Sequence, residues 1–187
     1  MELYCDTYYV RRVQDGDVAS FACLLDRYSR PVYSLVFKLT RNREDAEELT
    51  QDVFMKVFRK LGTFKGESSF STWIYRIAYN TAISETRRRK MEFLSFEETL
   101  IENLPEEKTA GFLEGELDAK AVHLDAALAK LPPEDEAIIL FFYMEDKSIE
   151  DIAVITGLSL SNVKTRLHRI RKKLFVLLTQ MEEQENG

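Results

Sequence analysis

The chain has 187 residues, 45% of them hydrophobic and 31% charged, with a formal net charge of −6. That length allows one ordinary domain or two small ones, and that hydrophobic fraction excludes an intrinsically disordered chain. No apolar run approaches the ~20 residues that cross a bilayer, and Met1 to Asp6 lacks a basic stretch leading into an apolar one. Neither membrane insertion nor a secretory signal is expected, and the chain reads as cytoplasmic.

Nearly every segment follows helical periodicity. Asp17 to Leu39 carries apolar residues at Phe21, Leu24, Leu25, Tyr28, Val32, Leu35, Val36 and Leu39, the spacing of one buried face, with Pro31 expected to kink or divide the run. Arg43 to Leu61 repeats the pattern with Ala46, Leu49, Val53, Val57 and Leu61. Gly62 to Ser69 has the composition of a loop, and Ser71 to Arg89 resumes with Trp73, Ile74, Ile77, Ala78, Ala82 and Ile83. These form a first helical domain over residues 1–90. Residues 91–118 lose the periodicity and hold Pro105, Gly111 and Gly115 among many acids, which predicts a flexible acidic linker.

A second helical domain is expected over 119–180, followed by a frayed acidic tail over 181–187. Leu124, Leu128 and Leu131 pattern its first helix, which should stop before Pro132-Pro133. Glu134 to Tyr143 forms the next. Ser148 and Asp151 then resemble a capping box at the start of a short helix that ends at Gly157. Ser159 can cap a last helix whose core face is Val163, Leu167, Ile170 and Leu174. Two helices around a glycine turn, the second rich in Arg and Lys, follow the helix-turn-helix plan. The expected fold class is therefore all-α, two small helical domains on a tether.

The net charge hides its distribution. Arg76 to Lys90 holds five cations against Glu85, and Ser161 to Lys173 holds six and no acid, while Glu97 to Asp118 holds eight acids and only Lys108. Local potential decides phosphate binding, because screening cuts off charges beyond about 10 Å. Two basic islands separated by acids predict two DNA-touching units. A recognition helix enters the major groove with its N-terminal half at base edges. That turns Ser161, Asn162, Lys164 and Thr165 toward bases, then His168 and Arg169, with Arg166, Arg171 and Lys172 suited to phosphates. The alternative is a solvated basic face on a core helix.

Phe70 to Asn80, running into Arg87-Arg88-Arg89-Lys90, could engage unstacked bases and phosphates, although aromatics at helical spacing are more often core. Asp45, Glu48 and Asp52 share one face of their helix, which by spacing alone suits an ordinary solvated surface. Cys5 and Cys23 form no CxxC pair and lie far from His123 and His168, so reduced thiols are expected, with no metal and no cofactor. Without a Gly-rich phosphate loop, HExxH or nucleophile elbow, enzyme function is not expected.

Those three segments, in that order, resemble the extracytoplasmic-function (ECF) group of the housekeeping sigma factor family over about residues 10–90 and 120–178. The resemblance implies that Asp45 to Phe54 is the helix docking on the clamp helices of the largest subunit of core RNA polymerase, with Asp45, Glu48, Gln51 and Asp52 as contacts. It implies that Phe70 to Asn80 recognises the −10 promoter element and holds the melted strand. Loop Thr63 to Ser69 would then receive a flipped base near Phe64 and Asn80. The contacts so implied are Phe64, Lys65, Trp73, Tyr75, Arg76, Ile77, Asn80, Arg87, Arg88 and Arg89. It implies that Lys164, Thr165, His168 and Arg169 read the −35 element. It further implies contact with the flap of the second-largest subunit, promoter DNA as ligand, and an anti-sigma protein as partner. A helix-turn-helix regulator acting on duplex DNA without polymerase is the alternative.

Overall fold

A computed structural model of the chain describes residues 5–89 and 121–185. The expected linker falls in the segment 90–120, outside the described residues. Among these residues there are eight α-helices and no strand: α1 Asp6–Gln14, α2 Phe21–Thr40, α3 Arg43–Lys60, α4 Phe70–Arg89, α5 Ala121–Leu128, α6 Pro133–Tyr143, α7 Ile149–Thr156 and α8 Leu160–Glu185. The all-α expectation holds.

Local chemistry sets four of the eight helix starts. The Asn42 side chain accepts from the Asp45 N–H (3.1 Å) to begin α3, and Ser69 Oγ accepts from the Thr72 N–H (3.1 Å) in the first turn of α4. Ser148 Oγ accepts from the Asp151 N–H at 3.0 Å while donating to Asp151 Oδ2 at 2.8 Å, and Ser159 Oγ accepts from the Asn162 N–H at 3.2 Å. Each cap satisfies a donor that the first helical turn leaves without a partner.

Two expectations about helix limits are corrected. Pro31, expected to kink or divide the run, does not divide α2, which is one helix from Phe21 to Thr40. The proline removes one backbone hydrogen bond, but Val32, Leu35, Val36 and Leu39 just beyond it are all buried, so packing holds the helix through the gap. The last helix continues to Glu185, into the segment expected to fray.

Helices α1–α4 bury Val10, Leu24, Val32, Val36, Val53, Val57 and Ile74, and α5–α8 bury Ile138, Phe141, Ile152, Ile155, Val163, Ile170 and Leu174. Burying each large aliphatic or aromatic side chain contributes roughly 1.5–3 kcal/mol. The tethered-domain expectation did not include what happens between the halves. Their cores join in one hydrophobic cluster, because α4 is covered by α2 and α3 on one side and by α7 and α6 on the other. Phe141 of α6 is wholly buried, with its ring 5.6 Å from that of Tyr75 and 6.3 Å from that of Tyr79, both on α4.

Candidate nucleic-acid interface

The turn between α7 and α8 is built by Gly157, which adopts φ +74° as the C-cap of α7 and donates its N–H to Ala153 O at 2.9 Å. Left-handed backbone suits glycine, which has no Cβ to clash. The turn launches α8 with Val163, Leu167, Ile170 and Leu174 facing the core. Ser161, Asn162, Lys164, Thr165 and Arg169 consequently stand exposed along its first three turns, with Arg166 and His168 half-buried beside them.

Acids from the same unit hold part of the basic face. Arg166 Nη1 lies 3.5 Å from Asp135 Oδ1, and Lys173 Nζ lies 3.6 Å from Asp135 Oδ2. Arg171 donates from Nε to the Tyr143 hydroxyl at 2.9 Å and sits over the rings of Phe142 and Tyr143. That makes Arg171 a strap between α8 and α6. Lys172 stays half-buried.

On α4 the side chains divide into three faces. Ile74, Ala78 and Ala82 enter the first core. Tyr75 and Tyr79 turn toward the C-terminal unit, and Tyr75 is only 2% exposed. Burial, joined by hydrogen bonding of its hydroxyl to Glu145, pushes the Tyr75 pKa well above the ordinary phenol range. Of the residues expected at the −10 strand, Tyr75 is therefore not on the open side. Trp73, Arg76, Ile77 and Asn80 are, and they line a cleft of about 750 Å³ with Asp52, Lys56, Lys60 and Arg88.

Arg76 and Asn80 are exposed, while Trp73 and Ile77 are half-buried, their apolar edges forming the cleft floor. Arg88 pairs with Glu85 at 2.9 Å, and Arg87 pairs with Glu134 of α6 at 2.9 Å. Arg89 closes the helix. The contributions of Lys56 and Lys60 went unnoticed in the sequence. Their signal was available, since both follow Asp52 at helical spacing and so share its side of α3. Lys56 Nζ reaches Thr81 Oγ1 on α4 at 3.1 Å.

The loop before α4 frames a second cleft of about 510 Å³, lined by Thr63, Phe64, Lys65, Glu67, Ser68, Trp73, Arg76 and, from α7, Val154. Phe64 packs 5.1 Å from Trp73 and 5.9 Å from Phe70, ring centre to ring centre. Gln14, the last residue of α1, donates from Nε2 to both Leu61 O (2.9 Å) and Phe64 O (3.0 Å). Helix α1 thus braces the loop, a role that no periodicity could reveal.

Along α3, Glu48, Gln51 and Asp52 are exposed and Asp45 is half-buried. Met55 (53% exposed) and Phe58 (43%) continue the same surface; Phe58, whose helical spacing places it with the buried face, is thus more open than its pattern implies. Among the described residues no group of His, Cys, Asp and Glu is arranged to hold a metal ion, and no helix is long and apolar enough to cross a membrane.

A helix-turn-helix with an exposed polar recognition face defines the class: a DNA-binding protein. Comparison with known proteins narrows it. The family model for Sigma-70 region 2 matches residues 24–92, and that for Sigma-70 region 4 matches residues 122–174. The chain is 30% identical over 173 residues to the ECF RNA polymerase sigma factor SigW of Bacillus subtilis, covering 88% of this chain and 92% of that one. It is likewise 30% identical over 185 residues to the ECF RNA polymerase sigma-E factor of Escherichia coli K12, covering 92% and 94%.

Among solved structures it is similar to CnrH in complex with the cytosolic domain of CnrY (TM-score 0.69, 22% identity, covering 94% of this chain and 97% of that one). The sigma factor RpoE of Bartonella quintana, in complex with the anti-sigma factor NepR, follows at TM-score 0.63 and 24% identity, covering 85% and 96%. The chain belongs to the ECF group of the sigma-70 family of RNA polymerase sigma factors.

Proposed function

We propose that this sigma factor docks on core polymerase through the exposed face of α3, captures the melted −10 strand on α4, and reads −35 duplex with the first turns of α8. The observation that carries the reading is the division of α4, whose one open stripe, Trp73, Arg76, Ile77 and Asn80, faces a cation-lined cleft beside the loop cleft at Phe64. An aromatic and cationic cleft suits a single strand, with bases stacked on rings and phosphates near Lys and Arg. Asp45, Glu48, Gln51 and Asp52 meet the clamp helices of the largest subunit, and the C-terminal unit meets the flap of the second-largest.

Extruding a base costs a few kcal/mol, which strand capture at α4 offsets. Each well-placed bidentate base contact from α8 contributes about 1–3 kcal/mol of discrimination at −35. Joining both sites in one chain raises the effective concentration of the second once the first is engaged. An anti-sigma protein is a further partner on this reading, since both solved relatives are described in complex with another protein and one partner is named an anti-sigma factor. A cytoplasmic location follows from work on core polymerase. A duplex-binding regulator accounts for α7 and α8 but leaves the α4 cleft and the α3 face without a role.

Run-off transcription with purified core polymerase over a pool of genomic fragments tests the reading. Start sites sharing spaced −35 and −10 motifs are expected; transcripts no different from those of core alone would refute it.

A further inference from the structure

We propose that Arg171 is a positioning residue for −35 reading: with Tyr143 it fixes the tilt of α8, and through that tilt the base preference of the exposed residues ahead of it. The inference rests on assigning −35 recognition to α8, and it names what sets the selectivity of that helix. By sequence Arg171 stands with Arg166 and Lys172 as a phosphate contact. In the folded unit its cation has another use. Nε donates to the Tyr143 hydroxyl at 2.9 Å, and the guanidinium carbon lies 5.6 Å from the Phe142 ring centre and 5.7 Å from that of Tyr143.

Those two rings meet nearly at right angles, 74° apart with centres separated by 4.9 Å. They form a corner. A planar fork that donates through Nε while covering both rings fits this corner in one orientation. A lysine would carry the charge there without that geometry.

The strap matters because of what else holds α8. Val163, Leu167, Ile170 and Leu174 are buried along its inner side. Apolar burial is strong but non-directional, so it presses the helix onto the core without fixing its angle. The Arg171 contact is directional, and it ties α8 to Tyr143, the last residue of α6.

Ser161 lies ten residues before Arg171, about 15 Å along the axis at roughly 1.5 Å per residue. A tilt of about 4° about the strap therefore moves Ser161 by about 1 Å and Thr165 by about 0.6 Å. Direct base contacts tolerate less, since N–H···O distances run only from about 2.7 to about 3.2 Å. Losing the strap should thus blur which base is preferred before it abolishes binding.

The test uses the full chain assembled with core polymerase, on a promoter found by run-off transcription and randomised through its −35 element. Sequencing the bound molecules gives the base preference at each position, and a second library randomised at −10 serves as control. Tyr143→Phe keeps the ring and loses the acceptor, whereas Arg171→Lys keeps the charge and loses the fork. Each should cut the preference for the best base about three- to tenfold at shared −35 positions, part of what one bidentate pair supplies, with −10 preferences as in wild type. The double variant should be no worse than the more damaged single, because both act through one contact. Arg171→Gln should keep the salt dependence of −35 binding.

A contact that merely stabilised the unit would lower occupancy on every sequence alike and leave the ratios intact; thermal unfolding of each variant measures that loss separately. Unchanged ratios would overturn the proposal, and so would additive losses in the double variant. A log–log salt slope shallower by about 0.9 in Arg171→Gln would mark a phosphate contact and overturn it as well. A wild type that enriched −10 but no −35 sequences would overturn the reading of α8, and the proposal with it.

Discussion

Gln14→Ala removes the brace under the proposed base pocket without touching the pocket itself. Gln14 Nε2 donates to two backbone carbonyls, Leu61 O and Phe64 O, that flank the turn into the loop. Two neutral hydrogen bonds stabilise by a net 0.5–1.5 kcal/mol each, or about 1–3 kcal/mol together. Two opposing effects reduce that sum. Fixing an exposed glutamine costs up to about 2 kcal/mol of rotamer entropy, and water can reach the freed carbonyls beside exposed Gly62 and Thr63.

About 1 kcal/mol should remain, which is roughly a fivefold loss in the equilibrium constant for holding Phe64 against Trp73, and so at most fivefold in its population. The assay is open-complex formation with core polymerase on two promoters, one intact and one abasic at the captured position. Opening slower by up to about fivefold is expected on the intact promoter and little change on the abasic one, where no base enters the pocket. Gln14→Glu should be at least as damaging, because an ionised carboxylate offers the two carbonyls no donor. Equal losses on both promoters would show a general folding defect and refute the bracing argument; wild-type opening by Gln14→Ala would refute it more directly.

Neutralising Lys60 or Arg76 should each flatten the salt dependence of strand binding by about 0.7 in log–log slope, measured by titrating a melted −10 strand into the holoenzyme. Gly157→Ala should lower stability by about 1–2 kcal/mol and soften −35 recognition in footprinting, because the cost is the left-handed backbone alone and no neighbour lies within 4 Å of the new Cβ. Asp151 predicts a pH effect on the interdomain contact. Burial raises its pKa, but hydrogen bonds from Thr72 and Ser148, together with nearby Lys147, outweigh this and hold it below the ordinary carboxylate value. Its contribution is then present above about pH 4 and lost as pH falls through the lowered folded value, which denaturant unfolding of the free chain at a series of pH values should follow. The Tyr75 phenol acts oppositely: its raised pKa means stability present below about pH 10 and declining above it, as the unfolded chain ionises first.

Regular features of the fold were legible because they repeat. Val32, Val36, Val53, Val57, Ile74 and Ile170 fall at helical spacing and all are buried. Ser148, Ser159 and Gly157 declared the helix-turn-helix through chemistry that acts within four residues. What escaped is non-local. Nothing near Gln14 in sequence signals Leu61 or Phe64, about fifty residues away, and Glu136 looks like one acid among several until Arg41 is brought to it. Pro31 misled because propensity is a local quantity, and here the packing of the following two turns outweighs it. Tyr75 misled differently, since an aromatic residue beside Arg76 on a basic helix carries no mark of which face it takes.

The apparent conflict between net negative charge and DNA binding resolves at the level of single ion pairs. Arg87 is paired with Glu134, Arg88 with Glu85, and Arg166 and Lys173 share Asp135, so acids lie within the basic islands in space although few lie within them in sequence. Three of these four cations are matched by acids on α6, the helix that also carries Phe141 against α4. A phosphate approaching Arg87 or Arg166 must displace a carboxylate at 2.9–3.5 Å, which lowers the gain from each contact. Binding of duplex DNA by the free chain is weakened at the same residues that a promoter complex would use. Strong engagement at Arg87 then requires that Glu134 be drawn away from it, whereas at Arg166 and Lys173 the phosphate competes with Asp135, an acid of their own unit.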